Sequence, residues 1–426
     1  SIRGHHGEPS TYFKASNTNA GDGFGTTMSI SGDTLVVGAP GEDSPAISVN
    51  GNEAGNDATD AGAAYVFVRN KGVWTQQAYL KPTNTGAGDR FGTSVSISGD
   101  TVVVGAPGED SGATGINGNK DDNSATDSGA AYVFVRSGTT WSQQAYLKAS
   151  NTGAGDAFGT SLSISGGRII VGAEGEDSNA TGINGNGSNN SAPDSGAAYT
   201  YLRSSNVWAY QAYIKASNTG AGDRFGCSVG ISDSNAVVGA WGEGAAANGT
   251  STNPNDNTKP QTGAAYAFRE TGTWVQQAYL KDAYPVLPHP TFGGDDPEWF
   301  GKSVAISGNT IVVSAPNKFV GGFFGSINGN RGATYIFVRN GSTWSEQAYL
   351  SSEPNEMGTT LGEHIAIDDN VLAVGTNFTG LSETSVRRIL LFMRNGATWT
   401  RQHTVVTEND DRLLGCAVAV SGSTLI

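Results

Sequence analysis

The segment GAGDRFGTSVSISGDTVVVGAPGED, residues 86–110, recurs almost unchanged from Gly153 and in part from Gly220. Recurrence on this scale indicates that one supersecondary unit has been copied along the chain. A Phe-Gly or Leu-Gly pair anchors each copy. These pairs begin at Phe24, Phe91, Phe158, Phe225, Phe300, Leu361 and Leu414. The sequence therefore predicts an array of seven equivalent units.

Within one copy, the residue pattern predicts four β-strands. Apolar and polar residues alternate in FGTSVSIS, which is typical of a half-buried strand. The nearly continuous apolar run in TVVVGAP is typical of a strand that is buried on both faces. After a polar loop, GAAYVFVR and WSQQAYLKAS follow, joined by SGTT, which suits a tight hairpin. Each unit is thus predicted to be a four-stranded antiparallel meander.

Radial arrangement of such sheets leaves only short, protected edges, as in a β-propeller. We therefore predict an all-β, seven-bladed β-propeller of four-stranded antiparallel blades, with residues 1–426 as a single domain. The N-terminal segment matches the end of a third strand and a whole fourth strand, and the last copy stops inside its second strand. We expect N- and C-terminal strands to close the last blade, most of whose third strand is missing from the sequence. Either the chain continues, or another chain donates a strand.

The elements DRFGTSVSI and VVVGAP resemble the FG-GAP repeat, which is found in the propellers of integrin α-subunits and in bacterial surface proteins. The resemblance covers essentially the whole chain. The motif is intact in the first two units, whereas residues 172–174, 239–241, 314–316 and 375–377 read GAE, GAW, SAP and GTN. The resemblance implies a propeller fold and an extracellular or cell-surface location, but it specifies function only weakly.

Charge and hydropathy limit the classes of partner. The chain has 25 basic and 39 acidic residues and a net charge of -14. An acidic surface repels phosphate backbones, so we expect no nucleic-acid partner. Apolar runs fall short of the roughly 18 residues that a membrane span needs, so we expect no membrane insertion either.

Acidic residues recur in the loops between the second and third strands of the first three units. Because antiparallel strands alternate in direction, these loops share a face with the connections from one unit to the next. Carboxylates beside Asn and Gly suit calcium, which prefers several oxygen ligands. The integrin-type loop between the first two strands is replaced by the short SGD, so that site is not carried over. The candidate calcium ligands are Glu42, Asp43, Asp60, Glu109, Asp110, Asp127, Glu176, Asp177 and Asp194.

An alternative interpretation of these acids is that they hydrogen-bond their own loop backbone and form turns. We favour this interpretation for the Asp of each GAGD segment. For the Glu-Asp pairs and the Asp that closes each loop, the sequence leaves calcium and turn formation equally open.

Tryptophan occurs in two contexts. One stands at the start of each predicted fourth strand, which favours packing between neighbouring sheets. Trp241 and Trp299 lie outside this pattern, and so do Phe323 and Phe324 in a GGFFGS segment. Function is often located where a repeated scaffold becomes irregular. We therefore predict these four aromatic residues as ligand-binding residues.

The sequence favours a non-enzymatic extracellular binding or adhesion module, which recognises a protein or glycan at the cell surface or matrix. The five histidines are scattered and form no recognised catalytic motif. One alternative is a subunit of an extracellular assembly that self-associates through strand donation to the last blade. A carbohydrate-active enzyme is the other alternative and would need two carboxylates about 5–10 Å apart. Repetition argues against it, because catalysis needs one site.

Overall fold

The computed structural model describes residues 11–245, 257–259, 261–283, 297–321, 330–351, 359–378, 387–406 and 417–426. Every regular element in these segments is a β-strand, which confirms the all-β prediction. None of the described residues forms a helix that is long and apolar enough to span a membrane. The chain divides into two compact units, Phe13–Ala221 and Gly222–Ile426, the second joined by Ser1–Tyr12.

The unit Phe13–Ala221 contains three four-stranded antiparallel blades. In each blade the strands pair in sequence order, as the meander prediction required. The first blade comprises β1 Thr27–Ser31, β2 Thr34–Ala39, β3 Ala63–Asn70 and β4 Val73–Leu80. The second comprises β5 Ser94–Ser98, β6 Thr101–Ala106, β7 Ala130–Ser137 and β8 Thr140–Leu147. The third comprises β9 Ser161–Ser165, β10 Arg168–Ala173, β11 Ala197–Ser204 and β12 Val207–Ile214.

The unit Gly222–Ile426 contains three more blades of the same type. The fourth blade comprises β13 Ser228–Ser232, β14 Asn235–Ala240, β15 Ala264–Glu270 and β16 Trp274–Leu280. The fifth comprises β17 Val304–Ser307, β18 Thr310–Gly321, β19 Asn330–Asn340 and β20 Thr343–Ser351. The sixth comprises β21 Thr359–Asp368, β22 Val371–Phe378, β23 Arg388–Asn395 and β24 Thr398–Val406. A two-stranded sheet follows, formed by β25 Val420–Ser421 and β26 Thr424–Leu425.

The described residues thus form six four-stranded blades of a β-propeller and one two-stranded sheet, where the sequence predicted seven closed blades. The seventh anchor, Leu414, lies outside the described residues. So do residues 1–10, which hold most of the predicted N-terminal strand, and residues 11–13 form no strand. Closure of a seventh blade and the single-domain assignment stay predictions.

The anchor phenylalanines fill the cores between consecutive blades. The Phe91 ring contacts Tyr132 and Phe134 of its own blade edge-on, with ring centroids 5.5 and 6.0 Å apart. The same cluster includes Val36 and Val66 of the first blade. Edge-to-face aromatic pairs stabilise a core beyond the area that they bury. Phe91 therefore joins the second blade to the first.

The Gly-Ala-Pro and Phe-Gly elements meet each other across neighbouring blades. Gly38 of the first blade lies so close to Gly92 of the second that an added Cβ would sit 2.1 Å from the Gly92 carbonyl oxygen. The Thr27 hydroxyl donates to the same carbonyl at 2.9 Å. Only glycine allows this approach, because any side chain would collide with backbone. The motif is therefore a contact between blades.

A β-bulge recurs between the third and fourth strands of the blades. In the first blade, Val66 faces Ala78 and Phe67 faces Gln76, which leaves Gln77 outside the register. The Gln77 side-chain oxygen accepts the indole N–H of Trp141 in the second blade at 2.8 Å. Equivalent bonds join Gln144 to Trp208, Gln277 to Trp344 and Gln347 to Trp399. Extra residues in bulges commonly re-aim a side chain, and here the bulge fastens the predicted packing tryptophan to the preceding blade.

Candidate functional site

The glutamates predicted as calcium ligands are buried and paired with lysines. Each Glu follows the second strand of its blade, and its partner Lys directly follows the fourth strand. The charged atoms lie 2.7–3.1 Å apart, and the lysine side chains are fully buried. These pairs are Glu42–Lys81, Glu109–Lys148 and Glu176–Lys215. The fourth blade repeats the arrangement with Glu243 and Lys281 at 2.8 Å.

The second blade shows how completely such a carboxylate is bonded. One oxygen of Glu109 accepts the Asn84 amide at 3.1 Å and the Tyr146 hydroxyl at 2.9 Å. The other oxygen accepts the Lys148 ammonium at 2.9 Å. Burial lowers the pKa of Lys148, and the charge of Glu109 opposes that decrease. Both oxygens of Glu109 are thus committed to bonds inside the blade.

The aspartates of the same loops form a separate structural contact. One Asp110 oxygen accepts the backbone N–H of Asp127 at 2.9 Å. Asp127 has a φ of 53°, in the left-handed region that Asp tolerates better than most residues. Asp43 with Asp60, and Asp177 with Asp194, repeat this bond at 2.8 Å. These bonds close the loops, as the turn-forming interpretation predicts.

Calcium needs about 6–8 oxygen ligands around one point. The glutamates here face lysines, and the aspartates accept backbone N–H groups. Within the described segments, no group of three or more His, Cys, Asp or Glu side chains is arranged to hold a metal ion. The three glutamates and the aspartates Asp43, Asp110 and Asp177 thus have bonding partners within the protein, and calcium binding stays a prediction.

The aspartates just before the anchors are buried turn formers. One oxygen of Asp89 accepts the Gly86 N–H at 2.7 Å, and Asp156 accepts Gly153 at the same distance. Burial, opposed by the hydrogen bond from Gly86 and assisted by the charge of Glu109, raises the pKa of Asp89 to about 7. Burial also raises the pKa of Asp156 to about 7. These two carboxyl groups therefore titrate near neutral pH.

The fifth blade reverses the charges of the buried pair. Lys318 stands where the first four blades have Glu, and its ammonium lies 3.0 Å from Glu298 and also contacts Asp282. Burial raises the pKa of Glu298 to about 7; Asp282 adds to the increase and Lys318 opposes it. The sequence signal was SAPNK in place of GAPGE, and our sequence analysis missed it.

Trp241 and Trp299, two of the predicted ligand-binding residues, lie together. Their rings meet edge to face, with centroids 5.9 Å apart and planes at 71°. Trp241 stands where the second blade has Pro107, and Trp299 where it has Arg90. Trp299 has a φ of 59°, and the left-handed conformation recurs at the equivalent positions Arg90, Ala157 and Arg224, so it belongs to the repeat.

Two cations flank this pair. The Arg224 guanidinium carbon lies 5.5 Å from the Trp241 ring centroid, and the Lys302 ammonium lies 5.1 Å from it. Neither indole N–H has a hydrogen-bond partner among the described residues, although buried Trp N–H groups usually find one. We call Arg224, Trp241, Trp299 and Lys302 the tryptophan junction.

Sequence reasoning found only half of the tryptophan junction. Arg224 escaped notice because the second blade has an arginine, Arg90, at the same position. Lys302 carried a usable signal, because the first three blades have Thr there. The remaining predicted ligand-binding residues, Phe323 and Phe324, lie outside the described residues.

Comparison with known protein families agrees with the repeat architecture. A model of the FG-GAP repeat matches residues 12–67, 74–134, 141–201, 208–268 and 293–337. No curated protein matches the chain. The matched segments make up more than half of the sequence and contain the anchors of the first five blades. The chain therefore belongs to the FG-GAP repeat family.

Proposed function

We propose that this FG-GAP propeller is a non-enzymatic binding or adhesion module of the cell surface or extracellular matrix. It recognises a protein or a glycan through the tryptophan junction. The observation that carries the proposal is the pairing of Trp241 with Trp299 where the repeat sequence is broken. Departures from local sequence–structure rules tend to mark functional positions.

The bonding of the repeated acids supports binding rather than catalysis. A glycosidase needs one carboxyl group that donates a proton and one free carboxylate. In the second blade, Glu109 is committed to Lys148 and Asp110 to the backbone of Asp127. Equivalent bonds in the neighbouring blades make these acids scaffold. Assembly through strand donation stays an alternative prediction, because the segments it invokes lie largely outside the described residues.

Binding of the full chain to arrays of surface glycans and matrix proteins tests the proposal. The variant Trp241→Pro places at this position the residue found in the first and second blades, so the loop is expected to keep its conformation. We expect the wild type to capture at least one partner and the variant to bind it about 10-fold more weakly, which corresponds to roughly 1.4 kcal/mol. The control Pro107→Ala, in the second blade, should bind like the wild type. Absence of any partner, or equal binding by Trp241→Pro, would contradict the proposal.

A further inference from the structure

The geometry of the tryptophan junction points to a carboxylate-bearing glycan as its ligand. This inference rests on the proposed binding function and deepens it by naming the chemical class. Its basis is the combination of two positive charges with two adjoining indole rings.

The first argument is charge. The chain carries a net charge of -14, so an acidic ligand is repelled by most of the molecule. At the junction, half-buried Arg224 and exposed Lys302 lie around the same indole ring. Arg forms paired hydrogen bonds with carboxylates, and Lys adds a compact positive charge. A ligand carboxylate is attracted here although the rest of the protein repels it.

The carboxyl groups next to Lys302 and Trp299 interact with other cations as well. Burial raises the pKa of half-buried Glu363, and the charges of Lys302 and Arg387 oppose the increase. The Glu363 carboxyl group is therefore within the electrostatic reach of two cations, Lys302 and Arg387. Glu298, next to Trp299 in sequence, is engaged by Lys318.

The second argument is shape. The ring of Trp241 is flanked by the cations, whereas no cation lies over the ring of half-buried Trp299 among the described residues. A flat indole ring matches the C–H face of a pyranose, and an acidic peptide offers no comparable face. Sites of this kind combine aromatic surface with a few placed polar groups. A sugar ring on Trp299 with its carboxylate towards Arg224 and Lys302 satisfies both features.

The other blades provide internal references for this assignment. At the four junction positions, the second and third blades have Arg90, Pro107, Ala157 and Thr160 in place of Arg224, Trp241, Trp299 and Lys302. A single substitution can therefore restore a residue that another blade already accommodates. Arg224→Ala and Lys302→Thr are variants of this kind.

The test is titration of the full chain with hexagalacturonate and with its methyl ester, which has the same sugar rings without the charges. We expect the free acid to bind at least 10-fold more tightly than the ester, and more weakly as salt increases. Arg224→Ala and Lys302→Thr should each weaken binding of the acid about 5- to 10-fold, whereas Arg90→Ala in the second blade should leave it unchanged. Circular dichroism and thermal unfolding establish that each variant folds.

Equal binding of acid and ester, or unchanged binding by both cation variants, would overturn the inference and leave the proposed function standing. Tighter binding of hexaglutamate than of hexagalacturonate would overturn it in favour of an acidic protein partner. If neither uronate probe binds while the array captures another ligand at Trp241, the inference fails alone. If the array also captures nothing, the proposed function fails with it.

Discussion

The second and fifth blades have opposite charges at the same buried position of the repeat. In the second blade, Glu109 after the second strand pairs with Lys148 after the fourth. In the fifth blade, Lys318 occupies the Glu position and contacts Asp282 and Glu298. In these two blades the position therefore holds a compensated charge of either sign.

This comparison favours a structural role for the recurring Glu over metal binding. A metal-binding loop would lose its function if its Glu became Lys, whereas a buried ion pair tolerates the exchange when the partner charges change too. Ser351 stands in the fifth blade where the second has Lys148, so the opposing lysine is absent there. The compensating acids come instead from the connection that precedes the blade. The recurring Glu is thus a structural partner of Lys in this protein.

Removal of the buried lysine from the fifth or the second blade should produce the largest effects on stability. Lys318→Ala leaves two buried carboxyl groups without their cation, and Lys148→Ala leaves one. Loss of a single partner from a buried pair costs about 3–5 kcal/mol. We expect both variants to lose free energy of unfolding in this range at pH 8, measured by urea denaturation. The control Lys14→Ala changes an exposed lysine at the equivalent repeat position and should change stability by less than about 0.5 kcal/mol.

The pH dependence distinguishes the two variants further. Glu298 has a pKa of about 7, so it takes up a proton as the pH falls below this value. Protonation relieves the uncompensated charge that Lys318→Ala creates. We expect the destabilisation by Lys318→Ala to be smaller at pH 5.5 than at pH 8. An effect that grows towards low pH would contradict this assignment of charges.

The buried turn aspartates should make the wild type less stable at alkaline pH. Their folded pKa of about 7 lies above the ordinary value of 3.8, so the folded protein binds more protons than the unfolded chain between these values. Their contribution is therefore favourable at acidic pH and is lost as pH rises through about 7. Asp89→Asn keeps an oxygen acceptor for the Gly86 N–H without the charge.

We expect Asp89→Asn to stabilise the protein by about 1–3 kcal/mol at pH 8 and much less at pH 5, since one pKa unit corresponds to about 1.4 kcal/mol. Urea denaturation at both pH values measures this difference. Asp57→Asn, at an exposed loop position, should give no such dependence. Destabilisation by Asp89→Asn at pH 8 would show that the charged carboxylate is favoured by the fold.

The bulge contact should give the smallest effect. Gln77→Ala removes the acceptor of the buried Trp141 indole N–H, and an unsatisfied donor of this kind costs about 1–2 kcal/mol. Thr75→Ala, at an exposed position in the same strand, should cost less than about 0.5 kcal/mol. Equal stability of the two variants would show that the bulge does not fasten the blades. Thermal unfolding is sufficient for the comparison.

The strands of the first three blades could be predicted closely from sequence, because the alternating and continuous apolar patterns depend on local geometry. The partner of Glu109 could not, because Lys148 is 39 residues away and the contact depends on the path of the intervening loop. The bulge at Gln77 was also missed, since a shift of one residue leaves the apolar pattern of a strand nearly intact. Local periodicity identifies strands but not which polar side chains meet.

The candidate site was predictable only where it departs from the repeat. Trp241 and Trp299 stood out because no other copy of the repeat has Trp at either position. Arg224 did not stand out, because the second blade has an arginine, Arg90, at the same position. Among the described residues, the Arg90 guanidinium lies over no tryptophan ring, whereas that of Arg224 does. Whether an arginine at this position contacts a tryptophan depends on the residue that follows the second strand of the blade, which here is Trp241.

Thermal unfolding with calcium and then with a chelator tests most directly whether the repeated acids are scaffold. A ligand that binds only the folded state raises Tm by mass action. Because Glu109 and its equivalents are bonded to lysines, the account predicts the same Tm in both conditions at constant ionic strength. A clear fall in Tm with the chelator, reversed by added calcium, would contradict the account and make these loops calcium sites.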